Sequence, residues 1–233
     1  MRAADVVLCH SFLPSLGRVE PAPEAVVESL LAVLGPHGTL IAPTFTYSWF
    51  RGQPYDIAHT PGTVGLLGEL VRKRPDAIRS EDPCFSNAAV GAAAAAFMRR
   101  LGPNSFGPDS FYDRLLRADG KVLLLGVDFT ALPLFMHLEH VCQVSYRYEK
   151  RFTGITVKDG AQIPGEMVHF VRDEHRNPDT DRTRISAVLD SHPDCRRMRF
   201  GYGEHRFIGA RLVAAEVAAR LAADPWYLIK QPV

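Results

Sequence analysis

The fold is decided by VVLCHSFLPSLGRVEPAPEAVVESLLAVLGPHGTLIAP, residues 6–43. Its first five residues form an apolar run that is typical of a buried strand. Apolar residues then recur with helical spacing over 26–34, and Gly35 with the proline after it ends that helix. A second strand follows and ends at Pro43. A strand, a helix and another strand in this order form the unit of a parallel sheet.

The rest of the chain extends this pattern. A helix face at 64–71, an Ala-rich helix over AAVGAAAAAFMRRLG (88–102) and a buried strand over KVLLLGV (121–127) are predicted. They are followed by a helix at 134–142, a hairpin turning at Asp159 and Gly160, a polar loop at 175–184 and an amphipathic helix within 207–225. We therefore expect an α/β fold in one domain, 1–233. Its three layers are a mixed, mainly parallel sheet with helices on both faces and an antiparallel hairpin addition.

Composition excludes several classes of protein. The 233 residues are 46% hydrophobic and 23% charged, which suits a globular chain with a large core and not a disordered one. The 27 Lys+Arg against 26 Asp+Glu leave a net charge of +1, which lacks the basic surplus of a nucleic-acid binder. No apolar run approaches the ~18 residues of a membrane helix. With no signal-peptide pattern at the start, we expect a cytoplasmic protein that binds neither nucleic acid nor membrane.

The four cysteines are far apart and form no C-x-x-C pair, which disfavours a disulfide framework and a zinc knuckle. Cys142 lies near two histidines in sequence, so a thiol nucleophile is an alternative to the more usual small buried hydrophobe.

Three loops follow predicted strands, where ligands of open α/β sheets bind. The first, HSFLPSLG (10–17), precedes a helix and is either a phosphate-binding turn or a plain surface turn. The second, PTFTYSW (43–49), offers two hydroxyls and large rings, for a substrate pocket or for a buried aromatic cluster. The third, RSEDPCFSN (79–87), ends in Ser86 and Asn87, either of which could cap a following helix.

A fourth segment carries most of the candidate chemistry. The strand at 121–127 ends in Asp128, and a few residues later His137 and His140 share a helix face with Glu139 between them. A histidine held in one tautomer by a carboxylate is a common general base. A buried structural histidine, a surface ion pair and a metal site are the alternatives, and the pattern lacks the His-Glu-x-x-His form of zinc enzymes.

Taken together, the sequence resembles the aminoglycoside 3-N-acetyltransferase family. Eight collinear pieces carry the resemblance: HSFLPSLG (10–17), GTLIAPTFTYSW (38–49), the spaced positions Asp56, Thr60 and Gly65, RSEDPCFSNAAVG (79–91), SFGPDSFYDRLL (105–116), DGKVLLLGVD (119–128), HLEHVCQVSYR (137–147), and a last helix followed by DPWYL (224–228).

The resemblance implies an N-acyltransferase that takes an acyl group from coenzyme A, acetyl-CoA above all, and needs no metal. The acceptor is the amine of an aminoglycoside, an amino sugar or a related metabolite, with antibiotic resistance as one setting, and a homodimer is compatible with the sequence. It implies coenzyme A contacts at Ser11, Phe12, Leu16, Gly17, Thr44, Ser86 and Phe106, with Thr44 near the thioester. Substrate contacts are expected at Thr46, Tyr47, Asp56 and Asp82, and catalysis at His137, Glu139, His140 and Asp128.

Two departures from the family pattern matter. The family's catalytic His precedes its Glu by three residues, a position that Met136 occupies here. Either the helix is re-registered with His137 as the base, or the base is lost or replaced by His140. The family's usual His-Pro is Asp82-Pro83 here, which makes an antibiotic acceptor less certain. A non-catalytic coenzyme A or metabolite binder, and a metal-dependent hydrolase using His137, His140 and Asp128, remain alternatives.

Overall fold

The computed structural model describes residues 1–173, 175 and 179–230. Over these residues the strands are β1 Val6–Ser11, β2 Thr39–Pro43, β3 Tyr55–Asp56, β4 Ile78–Arg79, β5 Asn87–Gly91, β6 Lys121–Leu125, β7 Arg147–Lys158, β8 Ala161–Arg172, β9 Arg196–Phe200 and β10 Gly203–Gly209. The helices are α1 Glu24–Leu34, α2 Leu66–Arg72, α3 Ala94–Met98, α4 Phe111–Arg117, α5 Leu134–Val141, α6 Thr183–Asp190 and α7 Ala210–Ala223.

The main sheet has seven strands in the order β4-β5-β2-β1-β6-β10-β9. β1 runs parallel to both of its neighbours, β2 and β6, whereas the other neighbouring pairs of this sheet are antiparallel. A second sheet joins β3 to the long hairpin of β7 and β8. The predicted α/β class with a mixed sheet and an added hairpin is confirmed, and the parallel pairing is confined to the three central strands.

Helices cover both faces of the main sheet, because alternate residues of the central strands are apolar on either side. Leu8, Val122 and Leu124 belong to the core that includes α3, α4, α5 and α7. Val7 and Cys9 belong to the core that includes α1 and α2. The two cores meet the same three strands from opposite sides, which gives the predicted three layers.

The Ala-rich segment 88–102 is not the single helix that its composition predicts. Its first residues form β5, which pairs antiparallel with β2 and is buried, and only Ala94–Met98 is helical. The break falls at Gly91, whose φ is +122° and where a Cβ would lie 2.2 Å from the backbone oxygen of Gly38. Because Asn87 begins a strand, the prediction that it or Ser86 caps a helix is wrong.

The C-terminal part differs from the sequence-based expectation in two places. Of the predicted polar loop 175–184, residues 176–178 lie outside the described residues, and α6 begins at Thr183. The C-terminal helix begins at Ala210 and not at 207, because 207–209 pair with β6. Among the helices of the described residues, none has the length and apolar character needed to cross a membrane.

Candidate active site

A cavity of ≈ 350 Å³, here called the central cavity, opens where the three parallel strands end. It is lined by residues at the end of β1 (His10, Ser11), the end of β2 (Pro43), the segment after β6 (Val127), α2 (Gly68) and α5 (Met136). β1 is the switch point of the sheet, because the chain leaves it first towards β2 and reaches β6 on its other side only later. Loops diverge at such a point and leave a crevice at the carboxyl ends of the strands.

His10 is the imidazole on the wall of the central cavity. It is 8% exposed, and its Nε2 is buried without a hydrogen-bond partner among the described residues. Burial lowers the pKa of His10 to about 4, because the surroundings disfavour its charged form. The ring is therefore neutral at pH 7 and able to take a proton from a group that enters the cavity.

The two histidines that the sequence singled out lie on α5, but neither lines the central cavity. His137 is buried, its Nδ1 lies 2.7 Å from the carbonyl oxygen of Phe106, and burial lowers its pKa. His140 Nε2 lies 3.1 Å from Glu149 Oε1 on β7. α5 is helical over Leu134–Val141, and Met136 is its residue on the wall of the central cavity.

The sequence predicted that Glu139 orients a histidine. In the structure Glu139 instead forms a buried ion pair. Its Oε2 lies 2.9 Å from Nε of Arg147, and its Oε1 accepts a hydrogen bond of 3.0 Å from the hydroxyl of Tyr146. The carboxylate and the guanidinium are both withdrawn from solvent. Glu139 therefore joins α5 to β7.

Asp128, predicted as a catalytic acid, is exposed and accepts hydrogen bonds from the backbone N–H and the hydroxyl of Thr130. No hydrogen bond or ion pair links Asp128 to the histidines of α5 in the described residues, and these residues contain no cluster of three or more His, Cys, Asp or Glu side chains suited to a metal ion. The hydrolase alternative thus lacks its ligand set. Burial also raises the pKa of the Cys142 thiol, which disfavours a thiolate nucleophile.

The first loop places one of its predicted coenzyme A contacts on the central cavity. Ser11 lines it, whereas Phe12 is 57% exposed outside. Leu16 ends a short 3-10 helix and packs partly into the α1–α2 core. At Gly17 the backbone has a φ of +80°, and the ring of Tyr202 lies 3.4 Å from where a Cβ would be. The turn between β9 and β10 therefore covers this loop.

The residues expected near the thioester and the phosphates are instead a closed polar cluster. The Thr44 hydroxyl donates to Oγ of Ser86 at 3.1 Å and accepts from Nε of Arg79, and the Ser86 hydroxyl donates to the Thr44 carbonyl at 2.7 Å. Thr44 N–H donates to the Ser86 carbonyl. Phe106 is fully buried between Phe85 and Tyr112. Thr44, Ser86 and Phe106 are not among the residues that line the central cavity.

The four predicted substrate contacts are scattered. Tyr47 lines the central cavity, whereas the Thr46 hydroxyl is buried and donates to the Pro83 carbonyl at 2.6 Å. Asp56 lies beside β7, where its carboxylate accepts from two backbone N–H groups and contacts His59. Asp82 faces a different cavity and accepts from the N–H groups of the two residues after Pro83.

That different cavity, here called the hairpin cavity, has a volume of ≈ 320 Å³ and lies between β8 and the segment 100–112. Its carboxylates already have partners. Lys158 contacts Glu81 at 2.7 Å, and Arg151 contacts Glu166. Burial raises the pKa of Asp82, which weakens it as a fixed negative charge.

Sequence reasoning missed two residues of the central cavity. His10 begins the first loop, and the sequence alone assigns it no role, although a polar residue at the end of a buried strand indicates a site. Arg182 lies far along the chain within a segment predicted as a polar loop, and its sequence carries no such signal. Only the packing of α6 against the segment after β6 brings it to the cavity.

Comparison with known proteins gives a consistent result. The family model described as aminoglycoside 3-N-acetyltransferase matches residues 8–222. Aminoglycoside N(3)-acetyltransferase VII of Streptomyces paromomycinus is 33% identical over an alignment of 195 residues, with 67% of this chain and 67% of the relative covered. The crystal structure of aminoglycoside acetyltransferase AAC(3)-IVa as apoenzyme is similar with a TM-score of 0.82 and 26% identity, over 99% of this chain and 86% of the other. AAC-IIIb in binary complex with CoASH has the same fold, with a TM-score of 0.82 and 21% identity over 100% and 93% of the two chains.

Proposed function

Because the chain belongs to the aminoglycoside 3-N-acetyltransferase family, we propose that it transfers the acetyl group of acetyl-CoA to an amine of an aminoglycoside, an amino sugar or a related metabolite. The observation that carries this proposal is the central cavity at the switch point of the sheet. There the first loop meets the ring of His10, whose Nε2 has no hydrogen-bond partner among the described residues. Its volume of ≈ 350 Å³ suits the thioester end of one substrate beside a small ring of the other.

The reaction joins the two substrates at His10 and Ser11. The acceptor amine enters neutral, its nitrogen attacks the thioester carbonyl carbon, and a C–N bond forms while the carbonyl electrons move to oxygen. His10 takes the proton that this nitrogen loses. The C–S bond then breaks, and the proton passes to the leaving thiolate, which gives an amide and the coenzyme A thiol. Holding both substrates in one crevice supplies the proximity term of catalysis.

His10 is the base of this proposal in preference to His137 and His140. Formation of the C–N bond makes the attacking nitrogen more acidic than a free ammonium, and the base on the wall where its proton is released is the neutral ring of His10, a weak base because burial lowers its pKa to about 4. The Ser11 hydroxyl, on the same wall, is the donor for the developing oxyanion. The N–H of Thr44 cannot take that role, because it already donates to the Ser86 carbonyl.

Acetyl-CoA fits the first loop best with its thioester at Ser11 and its arm along Phe12, Leu16 and Gly17. Phe12 is exposed and offers an apolar surface to the pantetheine arm. At Gly17 the ring of Tyr202 lies beside the same loop and forms its other border.

The proposal is tested by following thiol release from acetyl-CoA against a panel of aminoglycosides and amino sugars, with calorimetry of coenzyme A binding in parallel. We expect coenzyme A binding and amine-dependent thiol release. Binding without release from any amine would favour the alternative of a non-catalytic binder, and absence of both would overturn the proposal.

A further inference from the structure

Arg182 is a half-buried cation on the wall of the central cavity, which His10 and Ser11 also line. Its Nη1 lies 3.4 Å from the carbonyl oxygens of Thr130 and Leu132, which is long for a hydrogen bond, and its Nε is buried without a partner. The guanidinium lies 5.2 Å from the ring centroid of Phe135. Among the described residues no carboxylate forms an ion pair with it.

The surroundings of Arg182 hold more positive than negative charge. Glu139 is the buried carboxylate of this region, and it pairs directly with Arg147. Arg182 therefore contributes a second guanidinium that Glu139 stabilises only at longer range. Burial lowers the pKa of Arg182, because the charged form is costly away from water. An anion in the cavity would remove that cost.

Among the described residues, no Asp or Glu lines the wall of the central cavity. A polycationic acceptor needs carboxylates to replace the water around its ammonium groups. The hairpin cavity holds carboxylates, but its Glu81 and Glu166 are already paired with Lys158 and Arg151. The charge of both cavities is thus unfavourable for a molecule that carries several ammonium groups.

Resting on the acetyl transfer proposed above, we propose that the acceptor carries a carboxylate or phosphate as well as its amine, and that Arg182 binds this anion. A planar guanidinium suits both groups, since each can accept two parallel N–H bonds. An anion anchored on Arg182 holds the acceptor in the same cavity whose wall carries His10. Arg182 is then a specificity-determining residue for the acceptor.

The test compares acceptors of different charge at equal acetyl-CoA. The panel is glucosamine, glucosamine 6-phosphate, muramic acid and kanamycin, and the readout is kcat/KM from thiol release. We expect the two acidic amines to exceed glucosamine by about tenfold or more, as a charge-assisted hydrogen bond implies. A preference for kanamycin, or no difference between glucosamine and its 6-phosphate, would overturn the proposal.

Variants of Arg182 locate the effect. R182Q is expected to raise KM for the acidic amines by about tenfold to a hundredfold and to leave glucosamine nearly unchanged. R182K keeps the charge and should recover part of the loss, which separates recognition from misfolding. R220Q, which removes an exposed charge on α7 that pairs with Glu216, is the matched control and should behave as the unaltered protein.

Two further measurements distinguish failure of this inference from failure of the proposed acetyl transfer. If calorimetry shows that R182Q weakens binding of coenzyme A itself while the ratio between acidic and neutral amines is unchanged, Arg182 serves the donor and the inference is wrong. If the unaltered protein releases no thiol with any amine and binds no coenzyme A, the proposed acetyl transfer fails first. R182Q with unchanged KM for the acidic amines, in an active protein, contradicts the inference alone.

Discussion

At the scale of single residues, the proposed chemistry depends on which imidazole faces the central cavity. His10 is on its wall, whereas His137 is held by the Phe106 carbonyl. We expect His10→Asn to lower kcat by about 10²–10⁴-fold, the usual contribution of a positioned base, with a smaller effect on KM. Thiol-release kinetics at saturating acetyl-CoA measure this.

His137→Asn is the matched control for the same measurement. It removes an imidazole from the buried side of α5 and should alter stability more than kcat. If His137→Asn abolishes activity in a folded protein while His10→Asn does not, the base lies on α5 as the sequence predicted, and the cavity assignment is wrong.

The pH dependence of the reaction provides a second test at this scale. Burial lowers the pKa of His10 to about 4, so the free enzyme holds it neutral throughout pH 5–8. His10 therefore produces no acidic limb in kcat/KM over that range, and the rate should rise with pH as the acceptor amine loses its proton. The midpoint should move when an acceptor of different amine pKa is used. A fixed midpoint near 6.5 for all acceptors would contradict this role.

At the scale of elements, the ion pair between Glu139 of α5 and Arg147 of β7 joins the hairpin to the main body. Glu139→Gln leaves Arg147 buried without its counter-charge. Arg147 also experiences the positive charge of Arg182. We expect a loss of about 3–5 kcal/mol in the free energy of unfolding, the range for breaking one side of a buried pair. Urea unfolding followed by circular dichroism measures it.

Glu149→Gln is the control for that measurement. Glu149 also pairs with a side chain of α5, that of His140, but the Glu149 side chain is 57% exposed. An exposed pair contributes about 0–1 kcal/mol, so this variant should unfold almost as the unaltered protein does. Equal losses in the two variants would show that the buried pair is not what holds the hairpin.

The contact of α2 with β2 depends on a glycine. A Cβ at Gly68 would lie 2.0 Å from the carbonyl oxygen of Pro43, so the helix approaches the strand only because no side chain is present. Both residues line the central cavity. Gly68→Ala should therefore displace α2, cost about 1–3 kcal/mol as other overpacked sites do, and lower activity. Gly209→Ala, where nothing lies within 4 Å, should leave both unchanged.

The elements also show where sequence patterns succeed. The strands and helix within 6–43 were predicted because their apolar spacing and their Pro and Gly boundaries agree. The segment 88–102 was not, because alanine strongly favours a helix, and the pairing of 87–91 with β2 overrides that preference. β10 and the edge strand β9 were also missed, since their sequences show little alternation of apolar and polar residues.

At the scale of the whole molecule, the place of the site was predictable and its members were not. The carboxyl end of the first strand follows from the order of elements, and Ser11 and Tyr47 from the loops beside it. Met136 and His137 are neighbours on α5, and successive residues of a helix point ~100° apart. Met136 therefore lies on the cavity wall, whereas His137 contacts the buried carbonyl of Phe106. Arg182 needs the long-range packing of α6, which no local pattern contains.

The stability of the whole molecule should depend on pH through its buried histidines. Burial lowers the pKa of His10 to about 4 and that of His169 to about 3, where the neighbouring Arg147 adds to the effect. His169 is stacked on Phe85 with ring centroids 4.9 Å apart, and its Nδ1 is buried without a partner in the described residues. Protonating either ring would leave a charge in an apolar or cationic environment.

The sign follows from linkage. Both folded pKa values lie below the 6.5 of an unfolded histidine, so the unfolded chain binds more protons at acidic pH. The stabilisation is fully present above pH 6.5 and falls as the pH drops from there towards 4. Each ring contributes a slope of at most about 1.4 kcal/mol per pH unit.

Urea unfolding at pH 7.5, 6.0 and 5.0 measures that slope. We expect the free energy of unfolding to decrease steadily below pH 6.5, and His169→Gln to reduce the slope by about one proton even if it lowers stability overall. His37→Gln, which removes an exposed ring that forms no ion pair in the described residues, should leave the slope unchanged and serves as the control. The carboxylates are common to all variants, so their contribution to the slope cancels in the comparison. An unchanged slope in His169→Gln would mean that this ring is protonated in the folded protein as easily as in the unfolded chain. The aromatic cluster around it would then admit water.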